Sequence, residues 1–244
     1  MESLPTLSII IPCFNEEEGI PALAQKVLPI IGKLNEKYKV ELLLIDDGST
    51  DKTNQLLQHY FNTEKNTRII THDRNKNLGA ALKTGFAAAS GDFVAALDSD
   101  CTYDPQLLEA MLSLMDDHTD IVTVSPYHPQ GKVNHVPRYR LFLSKSISSI
   151  YRQLLSVEIH TFTAMVRVYR KEVVKNIPFK SDTFLGVTEL MIKALLQGCT
   201  VKELPAELNL RVFGTSKMKT MRVIRNHLGL INRIIWYKVA QKEL

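Results

Sequence analysis

Between residue 6 and about residue 125 the chain alternates two hydrophobic rhythms. Continuous apolar runs stand at Leu7–Pro12, Val40–Ile45, Arg68–Thr71, Phe93–Leu97 and Ile121–Val124. A run without polar alternation is a strand covered on both faces. Between these runs the apolar positions recur at helical spacing. They predict helices over 17–37 with a bend at Pro29 or Gly32, and over Asp51–Phe61, Leu78–Ala89 and Pro105–Met115, where Pro105 suits a first helical turn. Strands and helices in strict alternation imply βαβ units and a mostly parallel sheet.

After Ser125 the rhythm loosens. Pro126, Pro129 and Gly131 predict a loop over Ser125–Val136. A helix is expected over Arg138–Leu155, a strand over Phe162–Tyr169, and helices over Lys171–Asn176 and Val187–Gln197, the last stopped by Gly198. Short strands follow at Val201–Leu204 and Glu207–Val212. In the last segment Met221, Ile224, Leu228, Ile231 and Ile235 form an amphipathic stripe with Trp236 and Tyr237 beside it, surrounded by Lys217, Lys219, Arg222, Arg225, Arg233, Lys238 and Lys242. Such a helix either lies in a membrane interface or docks on the domain or on a second copy in a homo-oligomer. The pattern divides the chain into one α/β domain over 1–216, with halves 1–125 and 126–216, and a basic helix over 217–244.

Composition narrows the class. With 244 residues, 45% hydrophobic and 23% charged, the chain has a globular balance and enough length for a substantial core. No apolar run is long enough for a membrane span, and no basic region precedes the first strand, so neither a transmembrane helix nor a signal peptide is expected. Cys13, Cys101 and Cys199 are unclustered, which favours a reducing, cytoplasmic setting over a zinc site. Net charge is +4, but residues 1–124 carry 10 Lys and Arg against 19 Asp and Glu, while the remainder carries 20 against 7. An acidic half joined to a basic half suggests different partners for each.

Three polar constellations fall at strand ends, where ligands bind in an open parallel sheet. Pro12-Cys13-Phe14-Asn15-Glu16 ends the first strand, and its polar residues are open to two uses, nucleotide contact or helix capping. Asp46-Asp47-Gly48-Ser49-Thr50-Asp51 ends the second, with Asp46 assigned to a ribose or base and Asp51 to the turn. Asp98-Ser99-Asp100 ends the fourth. Two carboxylates at that spacing meet a diphosphate only if a divalent cation, Mg²⁺ or Mn²⁺, reconciles the charges.

Taken with NKNLGAALKTGF, FTAMVRVYRKEVV and LNLRVFGTSKMK, these segments resemble the family 2 inverting glycosyltransferases of the GT-A fold, over roughly residues 6–217. Within that family they are similar to the polyprenyl-phosphate sugar transferases related to dolichol-phosphate mannosyltransferase. The resemblance implies that Pro12, Phe14, Glu16 and Asp46 hold the nucleoside of GDP-mannose or a UDP-sugar, with Ser99 beside them. It implies further that Asp98 and Asp100 serve diphosphate and metal, and that Arg211, Ser216 and Lys217 close over phosphate. A polyprenyl or dolichyl phosphate would be the acceptor, at the cytoplasmic face of a membrane, with no nucleic-acid partner. Two positions depart from the pattern: Thr102 stands for a Gln, and Pro126 for an Arg that Arg138 and Arg140 are placed to replace.

An acceptor phosphate is already anionic and needs no strong base. A hydroxyl acceptor would need one, for which Glu189 is the first candidate; its other reading is a buried structural carboxylate. A protein that binds nucleotide sugars without catalysis is the remaining alternative.

Overall fold

The computed structural model describes residues 4–62, 65–134, 136–209 and 220–240. A seven-stranded sheet runs through it, built from β1 (Thr6–Cys13), β2 (Lys39–Asp46), β3 (Thr67–Thr71), β4 (Phe93–Ala96), β5 (Ile121–Ser125), β7 (Arg167–Arg170) and β8 (Val201–Pro205). Their order is β3-β2-β1-β4-β7-β5-β8, and β7 alone runs antiparallel to its neighbours β4 and β5. A separate parallel pair joins β6 (Lys132–Val133) to β9 (Glu207–Leu208). The helices are α1 (Ile20–Leu34), α2 (Thr53–Phe61), α3 (Leu78–Ala88), α4 (Leu107–Ser113), α5 (Arg138–Leu155), α6 (Lys171–Asn176), α7 (Leu185–Leu196) and α8 (Thr220–Ala240).

Continuous apolar strands pack on both faces. Ile9, Ile11, Leu42 and Leu44 point into the core under α1, α2 and α4. Ile10, Leu43, Ile45, Val94 and Ala96 point into a second core under α3, α6 and α7. Helix α3 reaches the sheet because of Gly85, where a Cβ would collide with the Ile10 side chain. A third core, around Tyr151, Phe162, Met191, Leu230 and Ile234, joins α5, α7 and α8.

Several boundaries correct the sequence expectations. Helix α1 starts at Ile20 because Glu16–Gly19 forms a turn, with Gly19 and Ile20 N–H groups donating to the Glu16 carbonyl. The expected loop over Ser125–Val136 contains β6, because Lys132 and Asn134 amides reach across to Ala206 and Leu208. The expected strand over Phe162–Tyr169 is reduced to β7, since the Phe162 carbonyl accepts bonds from the Arg167 guanidinium and the Thr188 hydroxyl. Of the strand expected over Glu207–Val212, only Glu207–Leu208 pairs, and residues 210–212 lie outside the described residues.

Candidate active site

Strand β1 lies between β2 and β4, so the chain winds outward in one direction to β3 and then crosses back over β1. In an open α/β sheet, that reversal leaves a crevice at the carboxyl ends of the two strands. Here the crevice lies between the Pro12–Glu16 loop and the Asp98–Asp100 turn.

The loops after β1 and β2 brace each other. Asn15, in the left-handed region at φ 52°, donates its amide to Ser49 Oγ at 2.9 Å and accepts the Thr50 amide on Oδ1 at 2.8 Å. The Glu16 amide donates to Thr53 Oγ1 at 2.7 Å, and the residue is buried. Asp51 accepts the Thr53 amide at 2.9 Å, the turn role expected of it. Asp46 is fully buried, with Oδ1 accepting the Ser49 amide at 3.0 Å and Oδ2 the Asn54 side-chain amide at 2.8 Å.

Its neighbour Asp47 turns the other way. It accepts from the Asn75 side chain at 3.0 Å and the Lys76 amide at 2.9 Å, and lies 2.7 Å from His72 Nδ1. That carboxylate thereby pins the segment carrying Asn75 and Asn77 over the crevice. Gly48, at φ +69°, permits it, since a Cβ there would strike the Arg74 backbone.

At the end of β4 the chain reverses through Cys101 at φ 50°. Thr102 then ties the two carboxylates together: its amide donates to Asp100 Oδ1 at 3.1 Å and its hydroxyl to Asp98 Oδ2 at 3.5 Å. Burial pushes both nearby thiols up, Cys13 well above its usual range and Cys101 to about 11, so neither is a thiolate nucleophile at neutral pH. The buried Tyr103 phenol is raised first by burial and then by the Asp98 charge.

Two cavities meet at Asp98 and Asp100. The first, of about 440 Å³, is lined by Pro12, Phe14, Glu16, Ser99 and Asp47 among others, with Thr183, Phe184 and the start of α8 closing it. The second, of about 600 Å³, runs between α5 and α8 past Leu143, Ile147, Ile150, Ile224 and Leu228, and includes Pro126 and Arg140.

The expected site residues therefore separate. Pro12, Phe14, Glu16, Asp98, Ser99 and Asp100 line the first cavity, while Asp46 lies beneath it and lines neither. Arg140 and Pro126 both line the second cavity, whereas Arg138 is exposed and lines neither. Arg211, Ser216 and Lys217 lie outside the described residues.

Glu189 is a correction. It is fully buried on α7 and lines neither cavity. Its oxygens accept the Lys180 amide at 3.1 Å and the Ser181 amide at 2.9 Å, and Lys193 and Arg233 stand at 3.5 and 3.7 Å. A carboxylate so enclosed and engaged is a structural anchor, not a base facing substrate. Sequence reasoning missed Asp47, Asn75, Asn77, Phe184 and Arg222 as lining residues. Asn75 and Asn77 stood in the NKNLGA segment and could have been weighed; Phe184 and Arg222 come from far along the chain and are visible only once it is folded.

A mostly parallel seven-stranded sheet with its crevice at the β1/β4 reversal is the GT-A-like α/β fold. The chain belongs to Glycosyl transferase family 2, whose profile it matches over residues 8–178. It is 32% identical over 218 residues to the polyprenol monophosphomannose synthase of Mycolicibacterium smegmatis, covering 86% of this chain and 80% of that protein. To the dolichol-phosphate mannosyltransferase of Pyrococcus furiosus it is 28% identical, over 96% of this chain and 68% of the relative. To the undecaprenyl-phosphate 4-deoxy-4-formamido-L-arabinose transferase of Yersinia enterocolitica it is 27% identical, over 94% and 68%. Among solved structures, glucosyl-3-phosphoglycerate synthase from Mycobacterium tuberculosis in complex with Mn²⁺, UDP and glucosyl-3-phosphoglycerate superposes with a TM-score of 0.70 at 18% identity. That match covers 97% of this chain and 80% of the other.

Proposed function

We propose that this glycosyltransferase moves a sugar from a nucleoside-diphosphate donor, GDP-mannose or a UDP-sugar, to a polyprenyl or dolichyl phosphate with inversion, using Mg²⁺ or Mn²⁺. The observation that carries the proposal is the meeting of two chemically different cavities at one carboxylate pair. One is walled by polar strand-end loops and suits a nucleotide; the other is walled by the apolar faces of two helices and suits an isoprenoid chain. The relatives named for polyprenyl-phosphate sugar transfer support the acceptor class, and the UDP complex supports the donor class.

Arg140, on the wall of the apolar cavity, would receive the acceptor phosphate, its planar fork being suited to two phosphate oxygens. Pro126, which also lines that cavity, cannot provide that contact. The phosphate oxygen attacks as an anion, so the retirement of Glu189 from the site removes nothing the reaction needs and weakens the hydroxyl-acceptor reading. Convergence of both cavities on Asp98 and Asp100 suits a single displacement, which inverts the anomeric carbon.

Among the described residues no three His, Cys, Asp or Glu side chains gather into a metal cage. The donor set fits Mg²⁺ or Mn²⁺ nonetheless, since such ions bind through one or two carboxylates with substrate phosphates completing the shell. Asp98 and Asp100 would hold the ion, which when bound neutralises charge on the departing diphosphate.

No helix among the described residues is long and apolar enough to cross a membrane. Attachment would instead use the exposed stripe Met221, Leu228, Ile235, Trp236 and Val239 on α8, with Phe142 and Ile150 on α5. Leu228 and Ile150 also line the apolar cavity, so this stripe reaches it, and Arg225 and Lys238 supply charge for an anionic leaflet.

The test is transfer from GDP- and UDP-sugars to a short polyprenyl phosphate with Mn²⁺, by wild type and Asp100→Asn. Asp100→Asn should lose about 100-fold or more in turnover with an unchanged melting temperature. Undiminished turnover in that variant refutes the metal role, and transfer to a glycolipid hydroxyl but not to the phosphate refutes the acceptor.

A further inference from the structure

The two cavities share a short boundary. Among the described residues five line both: the carboxylates Asp98 and Asp100, and the apolar side chains Met165, Phe184 and Val223. The three apolar residues come from separate parts of the chain. Met165, only 5% exposed, precedes β7; Phe184 stands immediately before α7; Val223 lies in the first turn of α8. Each is held by its surroundings. Next to Met165, the Val166 carbonyl accepts the Val124 amide at 3.2 Å. The segment before Phe184 is tied down through the Lys180 and Ser181 amides on Glu189, and through the Asp182 carbonyl, which accepts the Ala80 amide at 3.2 Å. The start of α8 is fixed to that same segment, where Asn226 Nδ2 donates to Thr183 Oγ1 at 3.3 Å. Three anchored apolar side chains thus stand with the carboxylate pair where the cavities meet.

We infer that Met165, Phe184 and Val223 act as an apolar collar that keeps water from the anomeric carbon of the donor, so that the sugar passes to the acceptor and is not hydrolysed. This inference rests on the transfer reading above. In the competing step a water oxygen bonds to the anomeric carbon and that carbon's bond to the diphosphate oxygen breaks. The electron pair leaves with the diphosphate, and one water proton passes to solvent. Neutralising the departing diphosphate assists water and acceptor alike, so the carboxylate pair offers no selection between them. Selection has to come from what the rest of the junction admits. Apolar side chains give a water molecule no hydrogen bonds to replace those it leaves behind, and a water is held in such a space only where it finds polar partners. The acceptor arrives with its hydrocarbon chain along the apolar cavity and gains contact where water loses it.

The test counts free sugar and lipid-linked sugar separately, using the full chain, Mn²⁺, sugar-labelled GDP-mannose or a UDP-sugar, and a short polyprenyl phosphate present or omitted. Phe184 and Val223 are half-buried, so Phe184→Ala, Phe184→Leu and Val223→Thr should melt close to wild type. Phe184→Ala should raise the absolute rate of free-sugar release by about tenfold or more. Phe184→Leu, which keeps apolar bulk, should stay within about threefold of wild type. Val223→Thr, which keeps the shape and adds a hydroxyl, should raise release by about threefold or more. A residue that only supports the fold lowers both rates together. A fall in transfer with no rise in free-sugar release therefore overturns the collar and leaves the transfer reading intact, as does a wild type that hydrolyses donor as fast as it transfers. Wild type that transfers to no polyprenyl phosphate overturns the transfer reading and this inference with it.

Discussion

Replacing Glu189 with Gln separates two accounts of the same residue. Glu189 is fully buried and gathers the Lys180 and Ser181 amides, Lys193 and Arg233. Gln keeps the shape but turns one acceptor oxygen into an NH₂ group, which then opposes an amide donor. A hydrogen bond to a charged partner contributes about 1.5–3 kcal/mol. Breaking a buried ion pair costs about 3–5 kcal/mol where the partner is also buried. Arg233 is partly exposed, at 38% of its side chain, so its share is discounted and Lys193, at 11%, carries more of the charge effect. A total of about 3–5 kcal/mol follows. In a domain of this size each kcal/mol lowers the melting temperature by roughly 2–4 °C, which gives a drop of roughly 6–20 °C in a calorimetric scan.

Turnover, measured well below the new melting point, should fall less than about tenfold. KM should rise, because the Lys180–Ser181 tether leads directly into Thr183 and Phe184 on the cavity wall. A general base behaves in the opposite way: its loss leaves stability alone and removes about 10²–10⁴-fold of rate. An unchanged melting temperature with a rate loss of that size would refute the structural placement and restore the hydroxyl-acceptor reading.

Two other outcomes follow from α8. Leu228→Asp with Trp236→Asp should cut partition onto anionic phosphatidylglycerol vesicles by about 100-fold or more in a sedimentation assay, since each side chain offers about 2 kcal/mol of apolar burial. Equal partition removes the membrane role, and a concentration-dependent dimer abolished by the double variant reassigns the stripe to a second copy. The second outcome concerns His227, whose folded pKa is depressed from 6.5 to about 4 by burial. The unfolded chain therefore binds the extra proton first, so the stabilising contribution is complete above about pH 6.5 and is lost as pH falls toward 4. Its full size is about 3 kcal/mol. Urea unfolding at pH 7 and pH 4.5 should show this slope in wild type and a flatter one in His227→Gln; equal slopes refute it.

Much of this was legible in the sequence, and the misses have physical causes. The apolar runs of the first half located β1 to β5 to within one residue at each end, because a strand buried on both faces is apolar throughout. That Pro12, Phe14, Glu16, Asp98 and Asp100 gather at one crevice was legible because strand ends converge at the carboxyl edge of an open sheet. Asp46 rather than Asp47 was assigned to the ligand, whereas Asp47 lines the cavity: neighbouring strand positions face opposite ways, and only the folded backbone shows which carboxylate the turn at Gly48 presents. Glu189 looked like a base because an acid on an apolar helix is either functional or anchored, and its anchor partners, Lys180, Ser181 and Arg233, come from other segments. The second apolar stripe of α8 escaped notice for a related reason. Met221, Leu228 and Ile235 announce one face, but Leu230 and Ile234, which bury the other, are seen as a docking face only once α5 and α7 are in place.

That doubling of faces lets α8 join the domain and still present an apolar surface. A helix apolar on one side could either dock on the domain or meet a membrane; this one docks through Leu230, Ile234 and His227 and still exposes Met221, Leu228, Ile235, Trp236 and Val239. Its first turns meanwhile wall both cavities, through Arg222 and Asn226 on the polar side and Ile224 and Leu228 on the apolar side. A lipid-linked acceptor and a water-soluble donor have to arrive from different phases and react at one point. Under the proposed function, one rigid helix that borders both cavities and carries an exposed apolar stripe fixes that point relative to the membrane surface. Under the same reading the basic second half, 20 Lys and Arg against 7 Asp and Glu, is the half that would approach anionic lipid, and the acidic first half the one that carries Asp98 and Asp100.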